Sequence, residues 1–437
     1  MKKLTPSQII VLGFAGVILL GAFILMLPIS STCHGWTPFN EALFTSTTSV
    51  CVTGLVVQDT GTYWTSFGHV IIMLLIQIGG LGVITVAAGI SLLARRSLPL
   101  HARNTLVEAT SSSTLETVAV FTKHILRFTI IVELIGALIM MPVFCSDYGI
   151  KGIWYAVFHA VSAFCNAGID LLGTTGHKFP SLTSYVSNVP INIAIMFLIV
   201  SGGLGFFTWK DITNHRFNFS RYCLQSKVIL TTTFFLITLP ALYFFIFDFY
   251  ALPLKARFLA SFFQSITPRT AGFNTVDLAS MTSTSQGLSI ALMLIGASPG
   301  STGGGMKNTT FAILLMTCVA VFRKKKDTEI FGRRIEIDII KNAATIAMMY
   351  VLLSVIAAMA ISTIDNIPVS STLYDTASAI GTVGSSLGIT PSLSIPSRYI
   401  LITLMFFGRV GGLTIIYATI LSPNNASRLP AEKIVVG

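Results

Sequence analysis

Thr48-Ser-Val-Cys-Val-Thr-Gly54 has three counterparts in the chain: Ser162-Ala-Phe-Cys-Asn-Ala-Gly168, Ile266-Thr-Pro-Arg-Thr-Ala-Gly272 and Ser378-Ala-Ile-Gly-Thr-Val-Gly384. Their glycines lie 114, 104 and 112 residues apart, a near-constant period that marks a repeated structural unit. The unit is much longer than a solenoid repeat, and composition explains why. The 437 residues are 53% hydrophobic and only 10% charged, whereas about a quarter of a soluble domain is charged; mean hydropathy is +0.79. This excludes a soluble globule and requires a polytopic membrane protein.

A spanning helix needs about 20 apolar residues. Such segments precede each motif, at residues 8–29, 124–144, 228–247 and 342–364, and follow it, at 68–93, 189–209, 286–322 (overlong and interrupted) and 398–421. Between them lie stretches too short to cross: 38–49, 152–164, 255–267 and 371–380. Apolar runs of about 10–14 residues read as re-entrant segments, and all four lead into the same glycine motif. The expected fold is therefore an all-α polytopic membrane protein of four helix–pore loop–helix repeats. Their bounds are residues 1–104, 105–215 (opening on a cytoplasmic linker helix), 216–326 and 327–437.

Basic residues set the orientation. Arg95, Arg96, Arg103, Lys210, Arg216, Arg221, Lys227, the run Arg323 to Lys326, Arg333, Arg334 and Lys341 fall between repeats. Lys2, Lys3, Arg428 and Lys433 belong to the same side if each repeat crosses twice. By the positive-inside rule both termini are cytoplasmic and the glycine motifs enter from outside the cell membrane. The net charge of +11 is thus a topological signal; the Arg323–Lys326 cluster flanks the membrane and can touch anionic lipid. No nucleic-acid-binding module is present in the sequence.

Cys51 and Cys165 each stand three residues before a motif glycine, a positional match without metal-ligand spacing. Cys33 and Cys145 both fall outside, where a disulfide is feasible but has no support in spacing. The first apolar run has no small-residue cleavage site and opens the repeat pattern, so it is expected to be a retained helix. Seryl, histidyl and aspartyl residues occur, but in no nucleophile-elbow or metal-ligand pattern, so no enzyme is expected.

A cation leaving water needs several oxygens at once, and rings of backbone carbonyls supply them without charged side chains. Glycine permits the left-handed backbone that turns successive carbonyls toward one axis. Four half-helices entering from outside would also aim their partially negative C-terminal ends at that axis.

With these four motifs and the helix–pore–helix organisation over nearly all its length, the chain resembles the Trk/Ktr/HKT superfamily of potassium transporters, most closely its Ktr membrane subunits. The resemblance implies a four-fold pseudo-symmetric pore within one chain, distantly similar to a tetrameric potassium channel. It maps the filter glycines onto Gly54, Gly168, Gly272 and Gly384, preceded by Val52-Thr53, Asn166-Ala167, Thr270-Ala271 and Thr382-Val383. Relatives with serine at the first glycine tend to select sodium, so Gly54 implies potassium, through a filter looser than a strict potassium-channel sequence. The resemblance further implies a homodimer on a cytoplasmic ring of RCK-type subunits, the KtrA family, with ATP or ADP bound by the ring. This chain would bind no cofactor of its own, only potassium as substrate, with sodium stimulation typical of the family. The basic linkers, residues 105–123 and the tail to residue 437 are the surfaces expected to dock the ring.

A second glycine set recurs after each filter: Gly79-Gly80-Leu81-Gly82, Gly202-Gly203-Leu204-Gly205, Gly303-Gly304-Gly305 and Gly411-Gly412-Leu413. In copies one, two and four, close helix packing accounts for them. The third, Gly296-Ala-Ser-Pro-Gly-Ser-Thr-Gly-Gly-Gly-Met-Lys307, cannot be a continuous helix, and broken helices at membrane depth commonly mark ion paths. In the family this insertion resembles the intramembrane loop below the filter, which makes Gly300, Ser301, Thr302, Gly303, Gly304 and Gly305 the expected gate. A phosphate-binding loop is excluded, because Met306 separates Gly305 from Lys307 and no strand precedes it.

Arg409, inside the last apolar span, is a costly charge that should face the pore or a partner. Two readings stand: it bars cations or ties the loop closed, or it is a buried anchor held by carbonyls. Arg269 is placed behind the filter, paired with an acid; Glu133 is expected to be structural and His159 to be packed, while Asp170 either gathers cations at the outer mouth or is the commoner case, a solvated loop carboxylate. The competing functional class is an alternating-access secondary transporter for another cation or solute. Such carriers usually have inverted or two-fold repeats, against four parallel copies here.

Overall fold

A computed structural model describes residues 5–83, 85–86, 118–176, 178–216 and 218–419. The expected docking stretch at 105–117, the basic residues Arg95, Arg96 and Arg103, the first repeat boundary and the tail beyond residue 419 lie outside them.

Each glycine motif is preceded by a long outer helix and a short pore helix. The outer helices are Pro6–Met26, Val118–Tyr148, Leu224–Phe247 and Ile337–Asp365. All four are long and apolar enough to cross a membrane. They keep large side chains such as Leu20, Phe23, Leu138, Phe234, Leu239 and Ile356 exposed; a belt of this kind is stable only against lipid. The first helix starts at a capping box in which Thr5 Oγ1 accepts from the Gln8 amide and Gln8 Oε1 accepts from the Thr5 amide, with Pro6 preset for the first turn.

The pore helices are Phe39–Val50, Lys151–Phe164, Leu254–Ile266 and Val369–Gly381, within two residues of the expected re-entrant segments. Pro38, Pro253 and Pro368 stand at the N-cap of three of them. Their C-terminal turns are buried, from Phe44 to Val50 in the first and from Thr372 to Gly381, apart from Leu373, in the last. An apolar helix this short with its end buried in protein enters the molecule and stops there.

The second helix of each repeat differs from expectation. Continuous spans were expected in copies one, two and four, but Ser66–Leu81 stops at Gly82, Val189–Gly203 turns by 96° into Phe206–His215 at Gly205, and Ile395–Val410 breaks at Gly411 before Gly412–Thr419. Gly82, Gly205 and Gly411 have φ of 86°, 86° and 91°, a left-handed geometry that a helix cannot continue through. In the third repeat, Ser283–Leu294 and Asn308–Phe322 flank a loop. All four inner helices are therefore interrupted.

Inner helices also join the repeats in a circle. Each packs on the pore helix of the following repeat: Ser66–Leu81 on the second, Val189–Gly203 on the third, Ser283–Leu294 on the fourth, and Ile395–Val410 back on the first. The remaining linker between repeats three and four carries a two-residue hairpin, Glu329–Ile330 against Arg333–Arg334. All six cysteines are free, so Cys33 and Cys145 form no disulfide.

Candidate functional site

The four motifs share one backbone conformation that sequence alone did not indicate. Two residues before each glycine a non-glycine adopts positive φ: Val52 at 48°, Asn166 at 59°, Thr270 at 75° and Thr382 at 51°. The glycines follow at 96°, 65°, 80° and 94° for Gly54, Gly168, Gly272 and Gly384. Side chains resist this region by about 1–2 kcal/mol per residue, so four such residues persist only because the packing around them enforces it.

That packing is visible beneath each loop. Thr48 Oγ1 accepts from the Gly54 amide at 2.9 Å, and Ser378 Oγ accepts from the Gly384 amide at 3.0 Å. Ser162 Oγ donates to the Ile169 carbonyl at 2.7 Å, and Thr267 Oγ1 to the Phe273 carbonyl. Three of these hydroxyls stand six residues before the glycine, a sequence signal that went unread. The side chains of Asn166 and Thr270 also share a hydrogen bond of 2.9 Å, linking the second loop to the third.

The four glycines close a ring in chain order. A methyl group built on Gly54 would strike the Ala167 carbonyl, on Gly168 the Ala271 carbonyl, on Gly272 the Val383 carbonyl and on Gly384 the Thr53 carbonyl. Each wall therefore sets the carbonyl before its glycine against the glycine of the preceding wall. On one side of the ring lies a cavity of about 400 Å³, lined by the glycines and by Asp59, Asp170 and Asp277. Asp170 is at this mouth, and its carboxyl accepts from the Leu172 amide at 3.1 Å. Burial, reinforced by the charge of Asp59, pushes it up to about 7 although the Leu172 bond opposes the shift.

On the other side the third repeat's loop presses against the ring. The Cα of Gly303 lies under Asn166 and Thr270: an added methyl would come within 3.3 Å of Asn166 Nδ2 and strike Thr270 Oγ1. Gly304 lies under Thr382, where the same methyl would come within 3.1 Å of its Cβ. Thr302 Oγ1 donates to the Phe164 carbonyl at 2.9 Å, the Gly305 amide to the Gly408 carbonyl at 3.1 Å, and the Phe206 amide to the Gly300 carbonyl at 2.9 Å. Ser301 Oγ donates within the loop to the Ser298 carbonyl at 2.6 Å. Lys307, considered in the sequence only as part of a phosphate-binding loop, donates to the Gly303 carbonyl at 2.9 Å.

Arg409 joins this loop to the first repeat. Its guanidinium donates to the Thr302 carbonyl and to the Gly79 and Gly80 carbonyls, the last at 2.9 Å. No acid pairs with it among the described residues. Arg409 and Lys307 line a cavity of about 300 Å³ below the ring, together with Gly82 and Gly300.

The second glycine set is also clarified. Methyl groups on Gly79, Gly202 and Gly408 would strike the carbonyls of Val50, Phe164 and Ile380, each four residues before a filter-motif glycine. The fourth copy therefore aligns as Gly408-Arg409-Val410-Gly411, three residues earlier than the sequence reading placed it, and Arg409 occupies the position of Gly80.

Arg269 lies behind the third loop, 7% exposed, in a small cavity with Ile199, Val200 and Ala297. Its expected acid is absent among the described residues; Nη2 donates to Thr233 Oγ1 at 3.4 Å instead. Glu133 accepts from Gln77 Nε2 at 3.0 Å, and Gln77 Oε1 accepts from the Cys165 thiol at 3.6 Å, a structural chain behind the second motif. His159 is buried against Phe144 and Phe273, with Nδ1 on the Tyr155 carbonyl at 2.7 Å.

A family model described as TrkH, cation transport protein, matches residues 7–428. The potassium/sodium uptake protein NtpJ of Enterococcus hirae is 37% identical over all of this chain and 98% of its own length. The Ktr system potassium uptake protein B of Bacillus subtilis is 37% identical over all of this chain and 97% of its own length. The crystal structure of the potassium transporter TrkH from Vibrio parahaemolyticus superposes with a TM-score of 0.76 at 17% identity, covering 96% of this chain and 86% of that one, a likeness of fold.

Proposed function

This chain belongs to the TrkH family of cation transport proteins, and on that premise we propose that it takes up potassium through the ring of Gly54, Gly168, Gly272 and Gly384. The observation that carries the proposal is the closed ring itself, in which four backbone carbonyls at Thr53, Ala167, Ala271 and Val383 alternate with four glycines. Carbonyls at one level can replace the hydration shell of a desolvated monovalent cation. Residues 52–54, 166–168, 270–272 and 382–384 form the filter, and residues 300–305 with Arg409 form the gate, between an outer mouth that gathers cations and a cavity below. Potassium is named for both of the 37%-identical relatives. Sodium is named with it in the Enterococcus hirae protein and is the stimulating ion to vary.

The chain sits in the cell membrane with both termini cytoplasmic, following its basic linkers. It acts as a homodimer on a cytoplasmic nucleotide-binding ring; the name of the Bacillus subtilis relative, which assigns that protein to a Ktr system, supports a partner subunit. An alternating-access carrier is disfavoured, because all four loops meet in one ring. The test is rubidium and potassium uptake in cells deficient in both, with and without sodium and a ring subunit. Potassium-dependent growth and rubidium influx are expected; neither, under every condition and with the protein shown to be in the membrane, overturns the proposal.

A further inference from the structure

The structure assigns to Asp375 a positioning role: from inside the fourth pore helix it fixes the outer end of the fourth filter wall and so sets cation affinity. This rests on the uptake reading above. Asp375 stands nine residues before Gly384; the residues at that place in the other repeats are Thr45, His159 and Phe263, so the fourth wall alone has a carboxylate there. It is 1% exposed, and a carboxylate so deeply buried is retained only where hydrogen bonds hold it.

Those bonds all go to the loop that leaves the filter. Oδ2 accepts from Thr390 Oγ1 at 2.6 Å and from Ser386 Oγ at 2.9 Å, and Oδ1 accepts from the Leu387 amide at 3.3 Å. Every partner can donate, which matches an acceptor-only carboxylate. Ser386, Leu387 and Thr390 also line the outer cavity, so the side chain grips the mouth from behind. The second and third outer loops lean on each other instead, through the Leu182 amide on the Asn274 carbonyl at 2.9 Å and the Asn274 amide on Ser181 Oγ at 3.1 Å.

Gly384 is where a shift would be felt. A methyl on it would lie 2.8 Å from Gly54 Cα, and methyls on Gly54 and Gly272 would lie 3.3 and 3.2 Å from Gly384 Cα. The fourth wall thus touches both neighbours, and a displacement of a few tenths of an ångström is passed to the ring. Carbonyl spacing decides how well a dehydrated ion is held, so Asp375 governs affinity and discrimination more than the amount of transporter.

The test compares wild type, Asp375→Ala and the double variant Ser386→Ala/Thr390→Val for rubidium influx kinetics and sodium competition, with transporter in the membrane quantified. Wild-type influx establishes the uptake reading; its absence would defeat that reading and leave this one to cation binding by purified protein, read as rubidium-dependent thermal stabilisation. Asp375→Ala is expected to raise KM about fivefold or more and to weaken rubidium preference over sodium by a similar factor, with a smaller change in maximal rate per transporter. The double variant keeps the charge and cuts two of the three bonds, so it should move KM the same way by a smaller factor. If Asp375→Ala does not reach the membrane, the double variant carries the test. Unchanged KM and unchanged sodium competition in whichever variant folds, or a loss confined to protein amount, overturns the inference.

Discussion

Replacing Arg409 by glutamine asks how strongly the proposed gate is held shut. The guanidinium spans from the Thr302 carbonyl, in the loop, to the Gly79 and Gly80 carbonyls, at the end of the first inner helix. If the loop moves aside for ions to pass, at least the Thr302 bond must break. A hydrogen bond involving a charged group contributes about 1.5–3 kcal/mol. At about 1.4 kcal/mol per tenfold, losing it moves the closed-to-open balance by roughly ten- to hundredfold. Arg409 and Gly80 line a cavity of about 300 Å³, roomy enough for water to take the arginine's place, so the variant should fold. The assay is rubidium influx per transporter in the membrane, where a rise within that range is expected. Arg409→Lys separates the two forms of the gating reading, a tether and a barrier to cations: it keeps the positive charge but cannot span both sets of carbonyls. A tether predicts raised flux in both variants, an electrostatic barrier only in Arg409→Gln. Folded Arg409→Gln protein with flux at or below wild type would refute the reasoning.

Gly54→Ser forces a side chain to φ 96° and against the Ala167 carbonyl; with about 1–2 kcal/mol of backbone strain alone, potassium preference over sodium should fall roughly tenfold in competition assays. Asp170, raised to about 7 by burial, is ionised above that pH and neutral below it, so KM for uptake should increase as external pH falls through 7, and Asp170→Asn should flatten the profile. In stability terms its pKa lies above the ordinary 3.8, so its contribution favours folding at acid pH and is lost as pH rises through 7. Arg269→Met removes a buried cation that has only a hydroxyl partner; thermal stability should hold or rise by about 1 kcal/mol equivalent with uptake retained, and a steep loss of stability would show that the charge is needed.

The parts legible in sequence were those written into local residue order. Four glycine motifs at a fixed period gave the pore helices to within two residues, because short apolar runs flanked by spans have few other fates in a bilayer. The inner-helix breaks were missed at Gly82, Gly205 and Gly411, since Gly-Gly-Leu-Gly is equally compatible with close helix packing. In the structure both occur: Gly79, Gly202 and Gly408 pack on the Val50, Phe164 and Ile380 carbonyls, contributed by residues about 30 positions or more away, and the helix breaks three residues later at a glycine of positive φ. The fourth copy slipped by three residues because Arg409 replaces the glycine that would have marked the register. An acid was expected beside Arg269 because buried cations usually have one; the structure supplies Thr233 and a small cavity. Asp375 drew no notice because its partners lie beyond the glycine motif, and only folding brings Ser386 and Thr390 back to the pore helix.

The interrupted inner helices also bear on the thermodynamics of opening. A pore closed by four straight helices must separate apolar side chains to open, which exposes hydrocarbon and raises the heat capacity. Here the helices are interrupted beneath the ring, and the proposed closure is a glycine loop held by carbonyls, hydroxyls and two basic side chains. Its release exchanges polar contacts for water and uncovers little hydrocarbon, so opening should carry a small change in heat capacity and a nearly temperature-independent enthalpy.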